Sequence, residues 1–182
     1  MKAVLAAVAL ILTACSLRGP RSASEDPAPS LHSSPTDLSI EFVTDPTASW
    51  AQRLNESAAT AEAILQSEEF ASRCRASKMS RTNGKPVEQV CREFSHAGPI
   101  KIEVGFYHDP DTRAIAYEQN DVVYVNTAKS EAGSPGNIAH ELAHVLGYTH
   151  FTNWAFLGRN SVPYVVGELV DSQAMPLPTD GR

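Results

Sequence analysis

His140-Glu141-Leu142-Ala143-His144-Val145-Leu146-Gly147-Tyr148-Thr149-His150 decides how the rest of the chain is read. On a helix, His140 and His144 lie one turn apart on one face, so both imidazoles can reach a single metal ion, and Glu141 flanks them. Gly147 has no Cβ and can take the left-handed conformation that ends the helix and turns the chain back, which brings His150 round as a third nitrogen donor. Leu142, Ala143, Val145 and Leu146 fill the other faces, so the helix is expected to be buried almost all round.

Upstream, Ser134 and Pro135 suit a cap and a first-turn residue for this helix. Before them the period changes. Ile100, Ile102, Val104 and Phe106 alternate with Lys101, Glu103, Gly105 and Tyr107, the pattern of a strand with one buried face. His108-Asp109-Pro110-Asp111-Thr112 reads as a turn whose acids serve turn geometry rather than calcium binding. Arg113 to Glu118 and Val122 to Asn126 then form a hairpin across Gln119-Asn120-Asp121. Strands therefore run directly into the metal helix.

Further upstream, Ile40 to Val43 reads as a first short strand, with Asp45-Pro46 as cap and first-turn proline for a long helix. Trp50, Leu54, Ala58, Ala61 and Leu65 recur behind it at helical spacing, as a backing helix requires. Helical stretches from Ser67 to Ala76 and from Pro86 to Phe94 carry Cys74 and Cys91, and Asn83-Gly84 marks a turn between them. The fold class is α+β: a mixed or antiparallel sheet packed on a backing helix and an active-site helix.

The chain has 182 residues, 42% of them hydrophobic, which suits one domain with a buried core, and a monomer is expected. A formal charge of −6 with no basic stripe excludes nucleic acid as a partner. Met1-Lys2 followed by the apolar run from Ala3 to Leu12 is too short to span a bilayer and reads as an export signal over residues 1–14. Leu12-Thr13-Ala14-Cys15 resembles the lipobox of bacterial lipoproteins. That resemblance implies lipidation of Cys15 and an extracytoplasmic, lipid-anchored protein of the bacterial cell envelope. Ser16 after the cysteine favours the outer membrane if there are two. Residues 15–39, rich in Ser, Pro and charge, form a flexible tether, and 40–182 form the domain. With Cys15 set aside, Cys74 and Cys91 are an even pair suited to one disulfide in an oxidising compartment. Two free thiols, or a cysteine held on the metal in a latent form, are the alternatives.

A catalytic zinc takes three protein ligands and leaves a fourth place for water, whose pKa falls toward neutrality. His140, His144 and His150 fill the three places, and Glu141 serves as general base on the zinc-bound water. The chemistry is amide hydrolysis with Zn2+ as cofactor. The motif H-E-x-x-H-x-x-G-x-x-H is similar to that of the metzincins, and of matrixins within them. The resemblance implies a zincin-like peptidase whose protein or peptide substrate pairs with an edge strand, here one between Arg113 and Asn126. It also implies a Met-turn beneath the metal, for which Met175 is the candidate.

Glu168 offers another third ligand, in the manner of the gluzincins. His150 is preferred because Gly147 and His150 both fall on the metzincin spacing. Glu168 is then a hydrogen-bond acceptor behind a ligand histidine or a solvated helix residue, and Tyr164 an oxyanion donor or a packed rim residue. His32, His96 and His108 have no ligand spacing and are read as surface residues, and Trp154 and Phe156 as cleft wall or core. A catalytically silent scaffold lipoprotein and a zinc amidase acting on wall peptide are the competing functions. The intact Glu141 speaks against the former.

Overall fold

The computed structural model describes residues 34–150 and 159–174. The elements follow in the order β1 (Asp37–Phe42), α1 (Ala48–Leu65), α2 (Glu68–Ala76), α3 (Val87–Ser95), β2 (Pro99–Tyr107), β3 (Ala116–Gln119), β4 (Val122–Asn126), a 3₁₀ turn (Ser130–Gly133), α4 (Pro135–Val145) and α5 (Val162–Ala174). The export signal, Cys15, most of the tether, His32, Trp154, Phe156 and Met175 lie outside the described residues. No helix among the described residues is long and apolar enough to cross a membrane.

The class is α+β, and the sheet is mixed, with strand order β1-β2-β4-β3. β1 runs parallel to β2 and β2 parallel to β4, whereas β3 pairs antiparallel to β4 and forms one edge. A wholly antiparallel sheet, one of the two arrangements expected, is excluded because the helices from α1 to α3 carry the chain back between β1 and β2. Only β3 and β4 are joined tightly. Asn120 and Asp121 between them have φ of 55° and 65°, the left-handed pair that a two-residue hairpin turn requires.

Two boundaries differ from the sequence reading. β1 starts at Asp37 and leaves Val43 exposed beyond its end. Long-range bonds hold the earlier residues: the buried Thr36 hydroxyl donates to the Phe94 carbonyl, and the Leu38 N–H donates to the Glu62 carboxylate. Ordered structure thus reaches into the stretch assigned to the tether. The cap of α1 is Thr47 rather than Asp45, its hydroxyl accepting from the Trp50 N–H. β3 also starts later than Arg113. The Asn126 amide donates to the carbonyls of Asp109 and Ala114, and the Asp109 carboxylate accepts from the N–H groups of Asp111 and Thr112. As expected, that aspartate shapes a turn.

The core forms where the helix-facing side of the sheet meets α1 and α4. Ile102 and Val104 of β2 and Val123 and Val125 of β4 are buried with Leu54, Ala58, Ala61 and Leu65 of α1 and Ile138, Ala139, Leu142 and Ala143 of α4. The alternation of β2 and the stripe of α1 are therefore real, but the motif helix is not buried all round, since Val145 in its last turn is 49% exposed. Cys74 and Cys91 form a disulfide with Cα atoms 5.9 Å apart, stapling α2 to α3, so neither is a free thiol or a metal ligand.

α4 is set in place by α5. A Cβ on Gly136 would stand 2.4 Å from the Gly167 carbonyl oxygen and 2.2 Å from the Asp171 carboxyl carbon. The two helices touch backbone to backbone there, and only glycine allows it. Gly136→Ala forces the helices apart and should lower stability by about 1–3 kcal/mol. Urea unfolding measures this, and an unchanged midpoint would contradict the close packing.

Candidate metal centre

Local chemistry fixes both ends of α4. At its start Ser134 caps the helix by accepting from the Asn137 N–H, with Pro135 in the first turn. Asp171 of α5 adds a carboxylate there, accepting from the Gly136 N–H at 2.6 Å and the Ser134 hydroxyl at 3.1 Å. A negative charge on otherwise unpaired N–H groups at a helix N-terminus is favourable. At the other end Gly147 takes φ +86°. Gly147 N–H bonds the His144 carbonyl at 2.9 Å and Tyr148 N–H bonds the Ala143 carbonyl at 2.8 Å. This Schellman-type ending turns the chain and delivers His150.

The three imidazoles then converge. His140 Nε2 lies 3.1 Å from His150 Nε2 and 3.3 Å from His144 Nε2, and the ring centroids are 4.9–5.1 Å apart. Nitrogens on a tetrahedral zinc at 2.0–2.1 Å stand about 3.3 Å from one another, so the spacing fits one such ion. Among the described residues, this is the one group of three or more His, Cys, Asp or Glu side chains that could hold a metal.

The rings are oriented from behind. His144 Nδ1 lies 2.8 Å from the Tyr148 carbonyl oxygen. A carbonyl can only accept, so Nδ1 carries the proton and Nε2 presents its lone pair. His140 bonds the backbone of Pro163, which lacks an N–H and therefore accepts through its carbonyl. Burial first, and then His144 and His150 beside it, push His140 down to about 3. Burial also lowers His144, against the opposing pull of its Tyr148 bond and of Glu118. Both rings are therefore neutral at physiological pH, the form that binds a cation.

Glu141 is 5% exposed. Burial, and next the charge of Glu118, raise it to about 7. Glu118 lies on the edge strand β3 opposite Val123, and its charge acts on both Glu141 and His144. Tyr164, 43% exposed on α5, sets its ring centroid 4.8 Å from those of both His140 and His150.

The structure thus gathers His140, His144, His150 and Tyr164, with Glu141 next to His140 on α4. It does not gather Glu168. That side chain is exposed and lines a separate depression with Arg73, Lys78 and Arg159. Sequence reasoning missed Asp171, Glu118 and the Tyr148 carbonyl. Only Tyr148 lay inside the motif, and its role there is a backbone one that no side-chain pattern announces.

No family model, no curated protein and no solved structure matches this chain. The residues of the site therefore carry the functional reading. One zinc per chain should be lost in His150→Ala and retained in Glu168→Ala, as measured by metal analysis after dialysis. Retention in the first with loss in the second would reverse the ligand assignment.

Proposed function

We propose that the chain is a zinc-dependent peptidase hydrolysing peptide bonds of extracytoplasmic protein or peptide substrates. The observation that carries this reading is the convergence of three imidazoles, two of them held neutral by burial, beside the buried carboxylate of Glu141. A purely structural zinc takes four protein ligands, whereas the three found among the described residues leave a position open for chemistry. That favours the peptidase over a silent scaffold. When bound, the ion supplies Lewis-acid polarisation of a carbonyl and acidifies water.

The chain's own groups supply the rest. Glu141, covalently next to His140 and shielded from solvent, takes a proton from the attacking water and returns it to the leaving amine. Tyr164, packed on two of the imidazoles, is the candidate donor to the developing oxyanion. Among the described residues β3 is an edge strand paired on one side only, which suits it to receive an extended peptide by backbone hydrogen bonds. A mixed sheet with an antiparallel edge, a backing helix and a motif helix ending at Gly147 supports the likeness to metzincins. The Cys74–Cys91 bridge supports an oxidising compartment, in keeping with export and a lipid anchor at Cys15.

Incubating the purified zinc-loaded protein with a mixed peptide library tests the reading. Cleavage is expected from the native protein, and Glu141→Gln should keep zinc while losing roughly 10²- to 10⁴-fold in rate. Equal product from both, or none from the native protein with zinc bound, would defeat the peptidase assignment. An amidase would instead release product only from wall-peptide substrates.

A further inference from the structure

Tyr148 does more than close the turn before His150. Its side chain is wholly buried, and its hydroxyl donates to the Glu93 carboxylate of α3 at 2.6 Å, across 55 residues of sequence. Lys85 Nζ stands 2.8 Å from the same carboxylate and 5.2 Å from the centre of the Tyr148 ring, and Phe94 stacks on that ring at 5.8 Å. α3 is itself anchored, by the Cys74–Cys91 bridge and by the bond from Thr36 to the Phe94 carbonyl. At the backbone, Tyr148 N–H is bonded to Ala143 and its carbonyl accepts from His144 Nδ1. One residue is therefore held at its side chain by α3 and in turn holds the ring of a ligand histidine.

A phenylalanine would fill the same space with apolar contact alone. The hydroxyl adds a directional, charge-assisted bond, which fixes where the residue sits and not only that it is buried. His144 Nε2 can lie 3.3 Å from His140 Nε2 only while its ring keeps one orientation, and that orientation follows the Tyr148 carbonyl. We infer that Glu93 and Tyr148 are positioning residues of the metal centre: α3, through the Tyr148 side chain, fixes the carbonyl that orients His144 for metal binding. The inference rests on the metal-binding reading of the three histidines and is independent of whether the protein cleaves peptides.

Chelator competition gives the zinc dissociation constant, and the unfolding midpoint of the zinc-free protein, taken in parallel, separates positioning from stability. Removing a direct outer-shell partner weakens metal binding roughly 10- to 100-fold. Tyr148→Phe and Glu93→Leu act one bond further out and should each weaken zinc binding about 5- to 10-fold. Their double variant should be no worse than the weaker single, because both break one linkage. Glu93→Gln retains an acceptor for the hydroxyl and should bind within about 2-fold of the native protein. Tyr148→Phe, the mildest change, decides the matter alone should Glu93→Leu fold poorly. Native zinc affinity in Tyr148→Phe, even with a lowered midpoint, overturns the inference, as do fully additive losses in the double variant. Absence of zinc binding by the native protein would remove the metal site and this inference with it, whereas zinc binding without peptide cleavage leaves the inference standing.

Discussion

His140 Nε2 is held 3.1 Å from His150 Nε2 and 3.3 Å from His144 Nε2 in a partly buried site, and each of those two rings makes protonation of His140 less favourable. His140 shows the consequence, its proton affinity driven down to about 3 by burial and by its two neighbours. Such an arrangement becomes favourable around a shared cation, and until then the surrounding structure must hold it together. Much of the molecule can be understood as the means of doing so. α4 presents two of the rings, the turn at Gly147 presents the third, and each neighbouring element removes a freedom that would let them part.

Those restraints come from three directions. α5 meets α4 at Gly136 and Gly167, where no side chain intervenes, and supplies Asp171 to the helix N-terminus, Pro163 to His140 and Tyr164 to the ring cluster. α1 and the sheet bury the opposite face of α4 through Ile138, Ala139, Leu142 and Ala143. α3 reaches the turn through Glu93 and Tyr148. The disulfide strengthens this last support. Closing 17 residues between α2 and α3 reduces the freedom of the unfolded chain by about 3 kcal/mol in the loop-entropy model, in a domain otherwise dependent on one modest core.

What could be read in the sequence was what repeats or caps locally. The alternation of Ile100 to Phe106, the stripe from Leu54 to Leu65, the Ser134-Pro135 start and the Gly147 stop all stand in the structure as read. So do the disulfide and the convergence of the three histidines. Pairings between distant side chains left no such trace. Asp171 on the first turn of α4 and Glu93 on Tyr148 lie 35 and 55 residues from their partners, and nothing in local spacing separates them from solvated acids. Asp45 was a plausible cap, but Thr47 sits where α1 begins. Val145 was apolar and on the motif helix, yet the helix ends there and leaves it exposed. Glu168 has the separation of a ligand and the wrong side of α5, a distinction that requires the helix to be placed against its neighbours.

The X-ray absorption spectrum of the zinc-loaded protein bears most directly on the metal centre from which everything else follows. Three imidazole nitrogens at about 2.0–2.1 Å with one further light ligand are expected from His140, His144 and His150. A first shell with fewer than three imidazoles, or a protein that takes up no zinc, would contradict it.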